Sequence, residues 1–197
     1  MYILNKLNYG YSTLEPFIDT HTLGLHHMKH QKNYLDKLNQ LLIKNNYDFR
    51  YSLIELTKHI NEFPKNDQSD ILYNLGGVIN HNIYFNSMSP THEKPNAILM
   101  KKIIQDFGSF NNLLKQFKEK ALSIKGSGYT FLVLNENKLE LINLSNQDNP
   151  YSLNLTPLIA IDMWEHAYYI NYQNKKDIYI NNFLEILDFN NANKYFR

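Results

Sequence analysis

The sequence contains no cysteine among its 197 residues, and this absence removes several kinds of chemistry. Disulfide bonds, thiolate catalysis, iron–sulfur clusters and cysteine-ligated zinc are all excluded. Any metal ion bound by side chains must therefore use histidine and carboxylate ligands.

An excess of charge and long apolar runs are also missing. Lys and Arg number 20 against 19 acidic residues, so the formal net charge is +1. Such a small charge does not indicate binding to nucleic acid or to an anionic membrane. No apolar run approaches the roughly 18 residues of a membrane span. The opening "MYILNKLNYGYSTLEPFIDTHT" lacks the apolar core of a signal peptide. We therefore expect a cytoplasmic protein with neither a nucleic-acid nor a membrane partner.

The residues that are present describe a folded α+β protein. Hydrophobic residues make up 43% of the chain, with 15 Tyr and 11 Phe, which is enough for a substantial core. Apolar periodicity predicts helices followed by three strands, at 22–44, 51–61, 68–88, 95–106 and 109–121, then 129–134, 139–144 and 157–162, with helix resuming to about 188. We expect a helical domain over 1–90 and an α/β domain with a three-stranded antiparallel sheet over 91–197.

Two histidines and a tyrosine lie on the apolar face of the first predicted helix. At 100° per residue, one stripe contains Leu23, His26, His30, Tyr34, Leu38 and Leu41. One interpretation is that these polar side chains are hydrogen-bonded within the core. The other is that imidazoles repeated at consecutive turns are ligands or line a site.

Further candidates occur in two other segments. His81 lies one turn from Val78 on a mostly apolar face, and Asp162 closes the apolar run "PLIAID" four residues before His166. A buried carboxylate needs a partner, either a salt bridge to His166 or a metal ion. Three imidazoles and one carboxylate suit Mn or Fe, whereas Mg and Ca prefer oxygen ligands. Zinc stays possible, although the HExxH pattern is absent.

The chain resembles the iron/manganese superoxide dismutases over essentially its whole length. The similar stretches follow in the family's order, namely "LNYGYSTLEPFIDTHTLGLHHMKHQKNY", "LGGVINHNIYFNSMSP", "KGSGYTFLVL", "NQDNP" and "IDMWEHAYYINYQNKKDIYINNF". The resemblance implies a helical-hairpin domain followed by an α/β domain. It also implies that superoxide is the substrate and that dioxygen and hydrogen peroxide are the products.

The resemblance also implies a role for each matching residue. The metal ligands would be His26, His81, Asp162 and His166. His30 and Tyr34 would line the substrate entrance, and Gln147 would hydrogen-bond the solvent on the metal. In a homodimer or homotetramer, Glu165 would reach the partner's His166 and Tyr168 the partner's His30.

The sequence also departs from the family's usual pattern. Phe85, Tyr129 and Phe131 stand where tryptophan is common, which leaves the pocket and its activity open. Gly77 together with Gln147 is the arrangement typical of the manganese type, so we expect Mn, with Fe or either metal as the alternative. Competing functions are a structural or metal-storage relative and a non-haem iron oxygenase, although the latter generally uses two histidines and one carboxylate.

Overall fold

The computed structural model describes residues 1–196 and confirms the predicted fold class. A helical N-terminal part is followed by an α/β part with a three-stranded antiparallel sheet. Arg197, the last residue of the predicted C-terminal domain, lies outside the described residues. The predicted boundary at residue 90 stays a prediction.

The described part of the chain contains short and long helices around three strands. The α-helices are α1 (Thr20–Leu25), α2 (Lys32–Lys44), α3 (Leu53–Leu56), α4 (Lys65–Asn86), α5 (Ala97–Phe107), α6 (Phe110–Leu122), α7 (Tyr169–Tyr172), α8 (Lys176–Glu185) and α9 (Asn190–Asn193). Short 3₁₀ turns lie at Ile60–Glu62, Pro150–Leu153 and Glu165–Ala167. None of these helices is both long and apolar enough to cross a membrane.

The first predicted helix is continuous but not uniformly α-helical. Between α1 and α2 the backbone forms a π-helical segment, His26–Gln31. Wider turns shift every later side chain around the axis relative to a regular α-helix. At the end of the predicted stripe, Leu41 is partly buried and packs against the core, whereas its neighbour Leu42 is fully buried. Asp19 caps the helix by accepting a hydrogen bond from the Thr22 N–H at 2.8 Å.

The second predicted helix, 51–61, is shorter than expected. Ser52 and Glu55 form a capping box that starts α3, yet α3 ends at Leu56. The Thr57 hydroxyl donates to the carbonyl of Ile54 at 2.7 Å. Such side-chain bonds to the backbone compete with continued α-helix, and a 3₁₀ turn at Ile60–Glu62 follows.

The sheet has the order β2-β1-β3, with β1 at Gly128–Asn135, β2 at Lys138–Ser145 and β3 at Thr156–Asp162. Both pairings are antiparallel, and Tyr129 on β1 lies opposite Asp162 on β3. The burial of β3 is almost unbroken up to Asp162. The strand therefore delivers a carboxylate into the interior at its last residue.

Two apolar cores flank this point. One core lies among the sheet, the end of α4 and helices α5, α6 and α8. The other lies between α2 and α4 and includes Leu38, Leu42, Leu56, Ile71 and Leu75. Helix α4 contributes side chains to both cores, so it joins the helical part to the α/β part.

Helix α4 also meets the loop after β2 at very short range. A Cβ added at Gly76 would lie 1.9 Å from the carbonyl oxygen of Gln147. Real Cβ atoms do not approach an oxygen so closely, so this backbone contact requires glycine.

We predict that Gly76→Ala lowers the free energy of unfolding by about 1–3 kcal/mol, because the loop must move to admit the methyl group. Gly24→Ala is the matched control, because a Cβ there would meet no atom within 4 Å. In the control, helix propensity should raise stability by about 0.5–1 kcal/mol. Urea unfolding at fixed protein concentration checks both values, and equal effects of the two variants would contradict the proposed contact.

Candidate metal centre

Four side chains from three separate segments converge in the interior. His26 comes from the π-helical segment, His81 from α4, Asp162 from the end of β3, and His166 from the 3₁₀ turn after it. One ligand atom of each lies within 4.8 Å of all the others. These are the four residues that the sequence predicts as metal ligands, and the structure brings them together.

The spacing between these atoms fits a small metal ion. The Nε2 atoms of His26, His166 and His81 lie 3.1, 3.4 and 3.9 Å from Asp162 Oδ2. Ligand atoms about 2.1 Å from a common ion lie roughly 3–4 Å apart. Three imidazoles and a carboxylate suit first-row transition metals, so the residues present fit such an ion.

The His81 ring shows that a salt bridge does not explain this cluster. His81 Nδ1 lies 2.6 Å from the carbonyl oxygen of Gly77, and a carbonyl can only accept, so Nδ1 carries the proton. Burial lowers the pKa of His81 well below its usual value, so the ring is neutral and Nε2 presents a lone pair. That lone pair faces the Asp162 carboxylate and has no hydrogen-bond partner in the described part of the chain. Two electron-rich groups face each other, and a cation satisfies both.

Asp162 is held in this position from several sides. Its other carboxylate oxygen, Oδ1, accepts the backbone N–H of Trp164 at 2.8 Å. Its own carbonyl accepts the hydroxyl of Tyr179 at 2.9 Å. Burial would raise the pKa of Asp162, but the nearby imidazoles of His166 and His26 outweigh burial and hold the pKa well below its usual range. The carboxylate is therefore ionised although it is 0% exposed.

A second polar group lies beside the four ligand candidates. The Gln147 amide Nε2 donates to the Tyr34 hydroxyl at 3.1 Å. The Asn80 amide donates to Gln147 Oε1 at 3.4 Å and to the carbonyl of Asp148 at 3.0 Å. The Tyr34 ring lies over Gly77, where an added Cβ would come within 2.5 Å of Tyr34 Cγ. Burial, followed by the hydroxyl of Tyr73, raises the pKa of Tyr34.

The residues expected at the entrance and the interface lie around His166. His30 is half-buried and stacks on the His166 ring with centroids 4.1 Å apart. Glu165 is exposed, whereas Tyr168 is buried at 1% exposure within this chain. The contacts of Glu165 and Tyr168 with a partner stay predictions.

The three aromatic departures are all buried, and Phe85 and Tyr129 contact ligand candidates, whereas Phe131 packs against Tyr129. Phe85, Tyr129 and Phe131 are each at most 3% exposed. The Phe85 ring packs edge-on against His26, with centroids 5.1 Å apart. The Tyr129 hydroxyl lies 3.4 Å from His81 Nδ1.

From the sequence, Gly77 was noted only as typical of the manganese type, and the contacts that position the side chains of the site were missed. Gly77, Asn80 and Tyr73 all lie on α4 with His81, and the i, i+4 spacing of Gly77 and His81 was a usable signal. The contact of Asn80 with Gln147 spans 67 residues, and no local spacing indicates it. The hydrogen bond from the Trp164 N–H to Asp162 depends on the conformation of the turn after β3, which the sequence does not indicate either.

We predict that His81→Ala weakens metal binding at least about 100-fold, more than the loss of an outer hydrogen bond costs. His27→Gln is the control. His27 is buried beside His26, but its ring bonds outward to Asn5 O and Tyr11 Oη at 2.8 and 2.7 Å. The control should keep its metal despite some loss of stability. Elemental analysis of both folded variants checks this, and full metal occupancy in His81→Ala would refute the site.

We also predict that the metal-free chain loses stability as pH falls from 6.5 to 4. Burial lowers the pKa of His26 from 6.5 to about 4. Between these values the unfolded chain binds the extra proton, so acid favours unfolding, by up to about 3 kcal/mol from this residue. In urea titrations, His26→Gln should show a shallower pH dependence than the unsubstituted chain. His21→Gln, at an exposed histidine, should not. An unchanged slope in His26→Gln would contradict this.

Comparison with family models agrees with this geometry. The model described as "Iron/manganese superoxide dismutases, alpha-hairpin domain" matches residues 1–89. The model described as "Iron/manganese superoxide dismutases, C-terminal domain" matches residues 95–195. Together they span nearly the whole chain and include all four ligand candidates. The chain belongs to the iron/manganese superoxide dismutase family and is a metal-dependent oxidoreductase.

Proposed function

We propose that this chain is a manganese superoxide dismutase whose metal is bound by His26, His81, Asp162 and His166. Family membership already implies superoxide dismutation, so the proposal concerns the metal and the residues that act on it. Iron, or use of either metal, is the alternative because the same four ligands serve both.

The observation that carries the proposal is the unpartnered lone pair of His81 opposite an ionised, fully buried Asp162. Leaving such groups unsatisfied in the interior costs several kcal/mol (about 1–3 for a neutral polar group and more for a charge). His166 Nε2 is a second buried atom without a hydrogen-bond partner. A cation among the four ligand atoms satisfies all of them at once.

A metal ion bound by these four residues would supply the redox chemistry, by which two superoxide anions and two protons become dioxygen and hydrogen peroxide. The chain's own residues provide the rest. The Gly77 carbonyl fixes the proton of His81 on Nδ1, which keeps Nε2 free to bind. Trp164 orients Asp162 through its backbone N–H.

Tyr34 and Gln147 would act on the substrate side of the site. Tyr34 is 9% exposed and its hydroxyl accepts the Gln147 amide. A phenol can donate as well as accept, so Tyr34 can hold a proton for the product at Oη. His30, half-buried against His166, would line the path by which superoxide enters.

The arrangement of Gly77 and Gln147 supports manganese. The Tyr34 ring fills the space above Gly77, so a longer side chain at this position of α4 has no room. The amide beside the metal therefore comes from Gln147, after the sheet, as the resemblance implies for the manganese type.

Assembly and location complete the proposal. Glu165 is exposed next to His166, and we propose that it contacts His166 of the partner subunit in a homodimer or homotetramer. Sedimentation of the purified protein tests this. We also propose a cytoplasmic location, which cell fractionation tests.

We predict that natively purified protein contains manganese, and that manganese restores more activity to the metal-free chain than iron does. The measurement combines elemental analysis with a superoxide dismutase assay after separate reconstitution with each metal. His81→Ala, carried through the same reconstitution, controls for metal bound elsewhere. Equal activity with both metals would overturn the choice of manganese. Bound metal without activity in either form would favour a structural role.

A further inference from the structure

Tyr34 accepts a hydrogen bond but needs an acceptor for its own proton. Its hydroxyl oxygen accepts the Nε2 amide of Gln147, and an amide N–H can only donate. Gln147 therefore cannot take the phenolic proton or return one to it. A group that resupplies Tyr34 after it gives up a proton must lie on another side of the ring.

Tyr73 occupies that side. It lies on α4, one turn before Gly77, and its ring meets the ring of Tyr34 edge-on with centroids 5.9 Å apart. After burial, the Tyr73 hydroxyl is the next cause that raises the pKa of Tyr34. Tyr34 is almost fully buried, whereas Tyr73 is 42% exposed. The pair therefore leads from the interior to solvent.

Water can reach Tyr73 from two cavities. One, of about 380 Å³, is lined by Tyr73, Gln147 and the turn around Ser152. The other, of about 470 Å³, is lined by Tyr73, Lys37 and Asp70. Both have room for many water molecules and offer polar groups to bind them. Tyr73 thus contacts both the Tyr34 ring and space that water can enter.

We propose that Tyr73 carries protons from solvent to Tyr34 during turnover. This inference rests on the proposed function. Reduction of the second superoxide to hydrogen peroxide consumes one electron, which the metal supplies, and two protons. For each proton that Tyr34 gives to the peroxide from Oη, the Tyr73 O–H bond breaks and its proton passes to Tyr34. Water in the cavities then returns a proton to Tyr73, so neither phenol is consumed.

The hydroxyl, and not the ring, carries this role. A phenylalanine at position 73 would preserve the edge-on ring contact and the packing on α4. Only the proton-carrying oxygen would be lost. Tyr73→Phe therefore separates proton transfer from packing, and Tyr195→Phe, at a phenol 52% exposed, is the matched control.

The first test measures the exchange of the Tyr34 hydroxyl proton with water by tyrosine-labelled NMR. The full chain is loaded with zinc, which suits the same ligands and is diamagnetic. We expect exchange to slow about tenfold in Tyr73→Phe, a small part of what a positioned proton donor contributes to catalysis. Tyr195→Phe should exchange like the unsubstituted chain. Equal exchange in Tyr73→Phe would overturn the proposal whether or not the enzyme is active.

The second test uses the manganese-loaded enzyme and a double-mutant cycle. Tyr73→Phe should keep its metal, slow turnover at high superoxide concentration and raise the solvent deuterium isotope effect. In a Tyr34→Phe background, Tyr73→Phe should add nothing, because both residues serve one route. Additive effects, or turnover equal to that of Tyr195→Phe, would overturn the relay. If the unsubstituted enzyme is inactive, the proposed function is wrong. The role of Tyr73 is then decided by the proton-exchange measurement alone.

Discussion

An ionised carboxylate in the interior is the constraint on which the rest of this structure depends. Asp162 is fully buried, and within residues 1–196 no Lys or Arg is among the groups that bond it. Imidazoles contributed by both parts of the chain surround it. His26 and His81 lie in the helical part, and Asp162 and His166 lie in the α/β part. Because the ligand candidates come from both parts, binding of a cation among them would favour the assembly of the two parts.

The helices are adapted to this point in ways that would otherwise lower stability. The first helix widens to a π-helical segment where it carries His26 and His30, and such segments are frequently found at functional sites. Helix α4 carries two successive glycines, which admit the Gln147 backbone and the Tyr34 ring. Glycines in a helix interior cost roughly 1 kcal/mol each. Close approach to the site explains their presence better than helix propensity does.

The sequence predicted the ligand candidates because their signals are local. Histidines on an apolar face and an aspartate at the end of a buried strand are visible in short windows, and so is the α+β order of elements. The π-helical segment is not visible, because a change of helical pitch leaves no trace in residue type, and so the full burial of Leu42 next to a partly buried Leu41 was not predicted. Asn80 and Tyr73 were missed because their importance comes from contacts with distant Gln147 and Tyr34.

The altered aromatic wall bears on the pocket more than on the ligands. Tyr129 brings a hydroxyl to 3.4 Å from His81 Nδ1, an N–H already donated to Gly77 at 2.6 Å. The hydroxyl oxygen can share this N–H as a weaker second acceptor, which reinforces the tautomer that leaves Nε2 free. Phe85 packs against the His26 ring without offering a polar atom. Metal binding is therefore compatible with both residues. Any effect of the two replacements is on the polarity of the pocket that contains Tyr34 and Gln147.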